Sequence, residues 1–167
     1  MKGKIMIRKN MIIIIALLLI CGINSTVMAQ DSSSWENDVQ MKFVDLDYEN
    51  QELWKKENLN KAQIIQKGNN NTALQKMTKG SANKQYTGQN GSWNRSEQEA
   101  EGKNNFSSIE QKGINNKALT VQTGNFNKAI INQRGNSNSA EIKQFSNNNF
   151  SIIKQIGSFN KAVIIQN

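Results

Sequence analysis

The chain has no histidine and no proline, and its 167 residues include a single cysteine. Without histidine it lacks the usual general base near neutral pH and the commonest metal ligand. Without proline, nothing in the backbone interrupts a ladder of paired strands. Cys21 lies close behind an apolar stretch near the start, so a chain cut after Ala29 would hold neither thiol nor disulfide. Long hydrophobic runs are scarce too. The run over 11–20 has ten residues, short of the roughly 20 that cross a bilayer. Aromatic residues make up 7 % and hydrophobic residues 37 % of the chain, too little for an ordinary globular core.

What fills the gap is amide. Asn and Gln supply 33 of the 108 residues from Asn60 onward, and they fall in register. Asn stands at 60, 71, 83, 94, 105, 116, 127, 138, 149 and 160, so every step is 11 residues except one of 12. Six residues after each Asn stands Gln, except at Met77 and Ala100. Glycine usually follows two residues later. A fixed period of this kind marks a stacked repeat architecture.

The segments before the array differ from it in charge. Residues 1–29 carry four basic groups, Lys2, Lys4, Arg8 and Lys9, ahead of the apolar run, and Val27-Met28-Ala29 offers small residues for cleavage before Gln30. This is the pattern of a secretory signal peptide. A lipoprotein signal ending at Cys21 competes with it, although Ile20 stands where a small residue is wanted. Residues 30–59 carry three basic and eight acidic groups and no clean period. They are open to three roles: a solvated linker, a cap over the first repeat, or a recognition tail for export. A disordered or loosely docked segment is expected. Residues 60–167, with 14 basic and five acidic groups, form the array. Its cations sit singly, as at Lys61, Lys117, Lys128 and Lys161, which suits a solvated outer face; a basic array also attracts polyanions or anionic membrane.

Within each unit, residues alternate. In the unit from Asn127, the positions Asn127, Ala129, Ile131 and Gln133 follow an inward code of Asn, small, apolar and Gln, while Lys128, Ile130 and Asn132 vary freely. Period-two alternation argues a strand. The Gly/Asn/Ser stretches between units, such as Gly135-Asn136-Ser137, argue tight turns. An 11-residue period also fits a helix, but a glycine in every period costs about 1 kcal/mol each in a helix interior, and the apolar residues are β-branched and spaced by two. The expected fold is therefore all-β: a β-solenoid of strand–turn–strand layers, with five repeats of about 22 residues forming two parallel sheets. Buried amides would bond from layer to layer, because each amide left unpaired costs on the order of 1–3 kcal/mol. The stacking ladder is assigned to Asn60, Gln66, Asn71, Gln89, Asn105, Gln111, Asn116, Gln122, Asn127, Gln133, Asn138, Gln144, Asn149, Gln155, Asn160 and Gln166, and the turns to Gly68, Gly91, Gly113, Gly124, Gly135 and Gly157. The stretch 71–104 reads as the soft part: Met77 and Ala100 replace the phase Gln, Gly80 is displaced by the extra residue, and Glu97, Glu99 and Glu101 crowd one outward face. On that gradient, Gln133→Ala is expected to weaken assembly more than Gln89→Ala.

The spacing Asn116-x5-Gln122-x4-Asn127-x5-Gln133 resembles the curlin repeat, Ser/Asn-x5-Gln-x4-Asn-x5-Gln, and the resemblance runs over 60–167. The wording from Ala129 to Gly135 resembles the minor, nucleating curlin more than the major one. The resemblance implies a secreted subunit of curli, amyloid fibres (fimbriae) on the surface of Gram-negative-type bacteria that support adhesion and biofilm. Its implied partners are itself and other curlin subunits, the export and assembly machinery that reads a signal within 30–59, and host or matrix surfaces. No specific nucleic acid and no cofactor are implied. Two other functions compete. One is a monomeric β-solenoid adhesin or polyanion-binding module working through its lysines. The other is an enzyme built on a β-helix, for which the only acid cluster, Glu97, Glu99 and Glu101, lies outward and lacks metal-loop spacing; no catalytic or metal residue is assigned.

Overall fold

The computed structural model describes residues 24–30, 38–44 and 59–167. Among them, twelve strands run in chain order: β1 (Asn24–Gln30), β2 (Asp38–Val44), β3 (Lys61–Lys67), β4 (Thr72–Thr78), β5 (Lys84–Ser92), β6 (Arg95–Glu101), β7 (Phe106–Ile114), β8 (Lys117–Thr123), β9 (Lys128–Asn136), β10 (Ser139–Gln144), β11 (Phe150–Ile156) and β12 (Lys161–Gln166). Odd and even strands of the array go to different sheets. The β3 sheet has the order β2-β3-β5-β7-β9-β11 and the β4 sheet the order β1-β4-β6-β8-β10-β12. From β3 onward every pairing is parallel, and residues pair with their equivalents one layer on, as Gln111 with Gln133 and Ala118 with Ala140. The array is thus a β-solenoid of five strand–turn–strand layers.

Alternation along each strand sets what is buried. In β9, Ala129, Ile131 and Gln133 are buried between the sheets while Lys128 and Arg134 face water. The same pattern holds in every strand from β3 to β11. In the last strand, β12, Ala162, Ile164 and Gln166 are only half covered, because no further layer lies beyond them among the described residues.

The turns bring successive layers so close that a side chain has no room. Gly113, at φ 121°, lies against the carbonyl of Gly135 in the next layer, where a Cβ would collide. The extra residue of the 12-residue step is absorbed locally. Lys79 takes a left-handed φ of 46°, and Gly80 returns to lie against Gly102. Gly80 is therefore shifted in sequence but kept in its stack, contrary to the sequence expectation. The reason is that one left-handed residue can bulge out of a turn without moving the strands on either side.

The first layer is covered differently from all the others. β2 pairs antiparallel with β3, Met41 opposite Ile64, and β1 pairs antiparallel with β4, Val27 opposite Gln75. The expected leader divides here: 1–23 lie outside the described residues, and 24–30 form β1. Cleavage after Ala29 would remove nearly all of that strand.

Several turns place a side chain in the left-handed region without glycine. Trp93, Phe126 and Phe159 have φ of 60°, 58° and 60°, and all three are exposed. A non-glycine residue there costs roughly 1–2 kcal/mol, and Asn bears it best. Phe126→Asn is expected to stabilise the fold by about 0.5–1 kcal/mol in denaturant titration; a loss of stability would show that the ring makes contacts outweighing the backbone strain.

Candidate functional site

The buried amides form bonded columns along the stack. On the β3 sheet, Gln66 Nε2 donates to Gln89 Oε1 at 2.7 Å, Gln89 to Gln111 at 2.8 Å, Gln111 to Gln133 at 2.9 Å and Gln133 to Gln155 at 2.8 Å. On the β4 sheet, Gln122 donates to Gln144 and Gln144 to Gln166, both at 3.0 Å. From Gln89 onward each Nε2 also reaches across the core to a backbone carbonyl, as Gln133 to Lys117 and Gln144 to Lys128 at 3.0 and 3.1 Å. One amide therefore ties layer to layer and sheet to sheet. Charge is absent from this core, so these bonds act at low dielectric, where they are strongest and where breaking one is most costly.

The asparagines work in another way. The sequence suggests amide-to-amide ladders for them as well, but they mainly clasp the backbone of the next layer. Asn116 Oδ1 accepts the backbone N–H of Asn138 at 3.1 Å, and its Nδ2 donates to the Gly135 carbonyl at 2.8 Å. Asn105 does the same for Asn127 N–H and the Gly124 carbonyl. Among the described strand-start asparagines, amide-to-amide bonds join only the run Asn71, Asn94, Asn116, Asn138 and Asn160. Asn sits where a strand begins, within reach of a turn, so its short side chain meets main chain before it meets another amide.

Asn83 and Asn94 belong to these columns as fully as the assigned residues. Gln75 and Gln98, which occupy aliphatic positions, were not assigned at all. Gln75 Nε2 donates to Gln98 Oε1 at 2.7 Å and to Thr87 Oγ1 at 3.1 Å, and Gln98 Nε2 donates to Ser107 Oγ at 2.8 Å. Ser107 and Thr120 hydroxyls then meet at 2.6 Å. This polar web divides the apolar core in two: Ala62, Ile64, Ala73, Met77 and Ala100 on one side, and the cluster around Ile109, Ile131, Ile142 and Ile153 on the other. Stretch 71–104 is not loosely packed. Its inward residues are as buried as any, with Met77 and Ala100 at 1 % and 0 % exposure.

The compensation at Ala100 is specific. Thr87 bonds Gln98 and Gln89 bonds Ser96, so two residues further out Gln85 stands opposite Ala100. Gln85 replaces the usual small residue and crosses the core to the Lys76 carbonyl at 3.1 Å. In this layer the large and small residues have exchanged sheets, keeping the volume. The exchange leaves two buried oxygens without a donor among the described residues: Gln122 Oε1, which would accept from a glutamine at position 100, and Gln85 Oε1 itself.

The acid cluster of β6 is spent on outward ion pairs. Glu99 bonds Lys76 at 2.9 Å, Glu101 lies 3.4 Å from Lys79 and Glu97 lies 3.9 Å from Arg95. The hydrogen bond to Glu99, and then its charge, hold the Lys76 ammonium above its ordinary range. No group of three residues suited to hold a metal occurs among the described residues.

Each column stops at β11 and β12. Asn138 Nδ2 donates to the Gly157 carbonyl of the next layer, whereas Asn160 Nδ2 turns back to the Ile156 carbonyl of its own. A Cβ at Gly157 would meet only Asn160 Nδ2, at 3.6 Å, where Gly113 and Gly135 face a carbonyl of the next layer. Around this end are exposed Phe150, Ile152, Ile156, Phe159, Val163 and Ile165.

Residues 114–145 match the family model described as the curlin associated repeat. These residues run from the end of β7 through β10 and include the motif from Asn116 to Gln133. No curated protein and no solved structure matches the chain.

Two sets of variants probe the columns. Gln89 makes the same ladder bonds as Gln133 and adds one to Ser96 at 3.3 Å, so the ladder holds no gradient between them. Both alanine variants are expected to cost about 1–3 kcal/mol in denaturant titration; Gln133→Ala costing twice as much would restore the gradient. At the exchanged pair, Ala100→Gln alone overpacks against Gln85, at roughly 1–3 kcal/mol. The double variant Gln85→Ala/Ala100→Gln should recover most of that, since it also gives Gln122 Oε1 a donor. Additive losses in the double-mutant cycle would show that the two positions do not share the space.

Proposed function

We propose that the chain is a structural, non-enzymatic subunit of an extracellular curli-type amyloid fibre, and that chains add edge-on at the β11/β12 end. The observation that carries this reading is that, among the described residues, β11 and β12 form two unpaired parallel sheet edges where several amide columns stop, next to a glycine that meets no further layer. An exposed edge with alternating inward residues is a template for a further strand. The curlin repeat over 114–145 supports the class of protein and, with it, export to the surface of a Gram-negative-type cell, a role in adhesion and biofilm, and recognition of a signal in 30–59 by the export machinery.

The end also bears on which chain adds. A second copy would bring its β3 and β4 against β11 and β12. On the β3 sheet the match is close, with Asn149 above Asn60, Ile153 above Ile64 and Gln155 above Gln66. On the β4 sheet Gln166 would lie over Met77 and Ile164 over Gln75, which ends the glutamine column and sets an aliphatic side chain on an amide. A related repeat chain with Gln and an aliphatic residue at those two places continues both sheets. That supports a nucleating role, in which this chain seeds a different subunit. The opposite end is covered by antiparallel β2, which has to leave β3 before that edge can join a neighbour.

The chain lacking residues 1–29 is expected to form fibres, alone or with another curlin-repeat chain, giving a cross-β reflection at about 4.7–4.8 Å. A monomer that stays soluble at high concentration in both settings would sink the proposal. Ile164→Lys, which places charge at the half-covered end of the core, should slow elongation by roughly tenfold or more, since a buried unpaired charge is costly. Removal of 31–44 should shorten the lag; an unchanged lag would mean that β2 does not restrain stacking.

A further inference from the structure

The outer faces of the two sheets carry very different charge. The strands of the β3 sheet from β3 to β11 bear seven cations and one acid, and the strands of the β4 sheet from β4 to β12 bear five cations and four acids. On the β4 sheet every acid is paired to a neighbouring cation. In β3 to β11 of the β3 sheet the single acid, Glu110, is held by Lys112 at 2.8 Å and by Asn132 at 3.1 Å. Lys84, Arg134 and Lys154 point outward there with no acid beside them, and Lys128 lies over the rings of Phe106 and Phe150 at 5.7 and 5.4 Å. A groove of about 390 Å³ opens on the same face, lined by Lys84, Tyr86, Phe106 and Gln63 among others.

We propose that this face is a docking surface for an acidic polysaccharide. The groove offers an aromatic wall for the C–H face of a sugar ring, an amide for its hydroxyls and an ammonium for its carboxylate. The remaining free cations lie further along the stack, where a linear polymer leaving the groove would run. Lys84, Arg134 and Lys154 lie in β5, β9 and β11, no more than one to a layer, a density that suits a sparsely charged chain. Duplex DNA carries a charge about every 1.7 Å of its axis and winds its phosphates away from a straight, flat row. Single-stranded nucleic acid needs a series of open aromatic platforms for successive bases. Here Lys128 covers Phe150 and one side of Phe106, so the aromatic surface left open on this face is that of Tyr86 and Phe106 in the groove, not a series along the stack. Binding needs no fibre, so it stands or falls apart from the assembly proposed above.

The test is a binding titration of the freshly desalted chain against polygalacturonate, with neutral dextran and polythymidylate as comparisons. Polygalacturonate is expected to bind most tightly, in a salt-dependent manner. Lys84→Gln/Arg134→Gln/Lys154→Gln should weaken it by roughly tenfold or more, because exposed unpaired cations dominate such contacts. Lys103→Gln/Lys117→Gln/Lys161→Gln removes the same net charge elsewhere and should cost less than about threefold. Tyr86→Ala should weaken binding by a factor that persists at high salt. Equal losses from the two triple variants, tighter binding of polythymidylate, or no binding of polygalacturonate would each overturn the assignment. All the substituted side chains point outward, and an unchanged far-ultraviolet dichroism spectrum checks that each variant keeps the fold.

Discussion

The structure depends on a buried amide finding its partner one layer away. Gln111 cannot reach water and cannot satisfy itself within its own layer, so the bond to Gln133 at 2.9 Å and the bond from Gln89 at 2.8 Å decide where the three strands lie. A slip by one residue would turn every inward side chain outward. A slip by a whole layer would strand amides at a cost of order 1–3 kcal/mol each. Hydrophobic burial alone would not discriminate so sharply, since the buried apolar residues are mostly alanine, with an isoleucine in β3, β7, β9, β10 and β11 and none in β4, β5, β6 or β8. The amides supply the register and the aliphatic residues supply the driving force.

Volume is the second constraint, and it acts across the sheets. In most layers a glutamine on one sheet faces alanine or serine on the other, as Gln144 sits within hydrogen-bonding reach of the Ser151 hydroxyl. The second layer shows that the rule concerns the pair and not the position: Gln85 and Ala100 exchange roles, and the layer remains closed. The insertion at Lys79 makes the same point for the turns. The backbone spends one left-handed residue there, and the glycine stack continues unbroken.

Much of this was legible because the solenoid repeats its environment every layer, so one physical demand prints the same residue again and again. The strands, the turns, the five layers and most of the columns follow from that. What escaped was whatever occurs once or depends on a partner across the core. Gln85 reads as an ordinary outlier until Ala100 is seen opposite it. Gln75 and Gln98 look like weak aliphatic positions until Thr87, Ser107 and Thr120 join them into one web. The strands β1 and β2 lie outside the repeat and announce nothing by period. The uneven charge of the two faces was also readable, since odd and even units go to different sheets, but treating all units alike averages it away.

The hydrogen bonds also give the stack a direction. In each of the four bonds of the β3-sheet column, from Gln66 to Gln155, the donor lies on the β3 side and the acceptor on the β11 side. The β4-sheet column of Gln122, Gln144 and Gln166 runs the same way. Aligned amide dipoles reinforce one another, so each added layer strengthens the ones before it. Two β11/β12 ends brought face to face would set donors against donors in both columns. A further chain can extend the bonds only by presenting its acceptors, that is, its first layer in the same orientation. The polarity of one side-chain amide, repeated through the core, would thus restrict the proposed assembly to head-to-tail stacking.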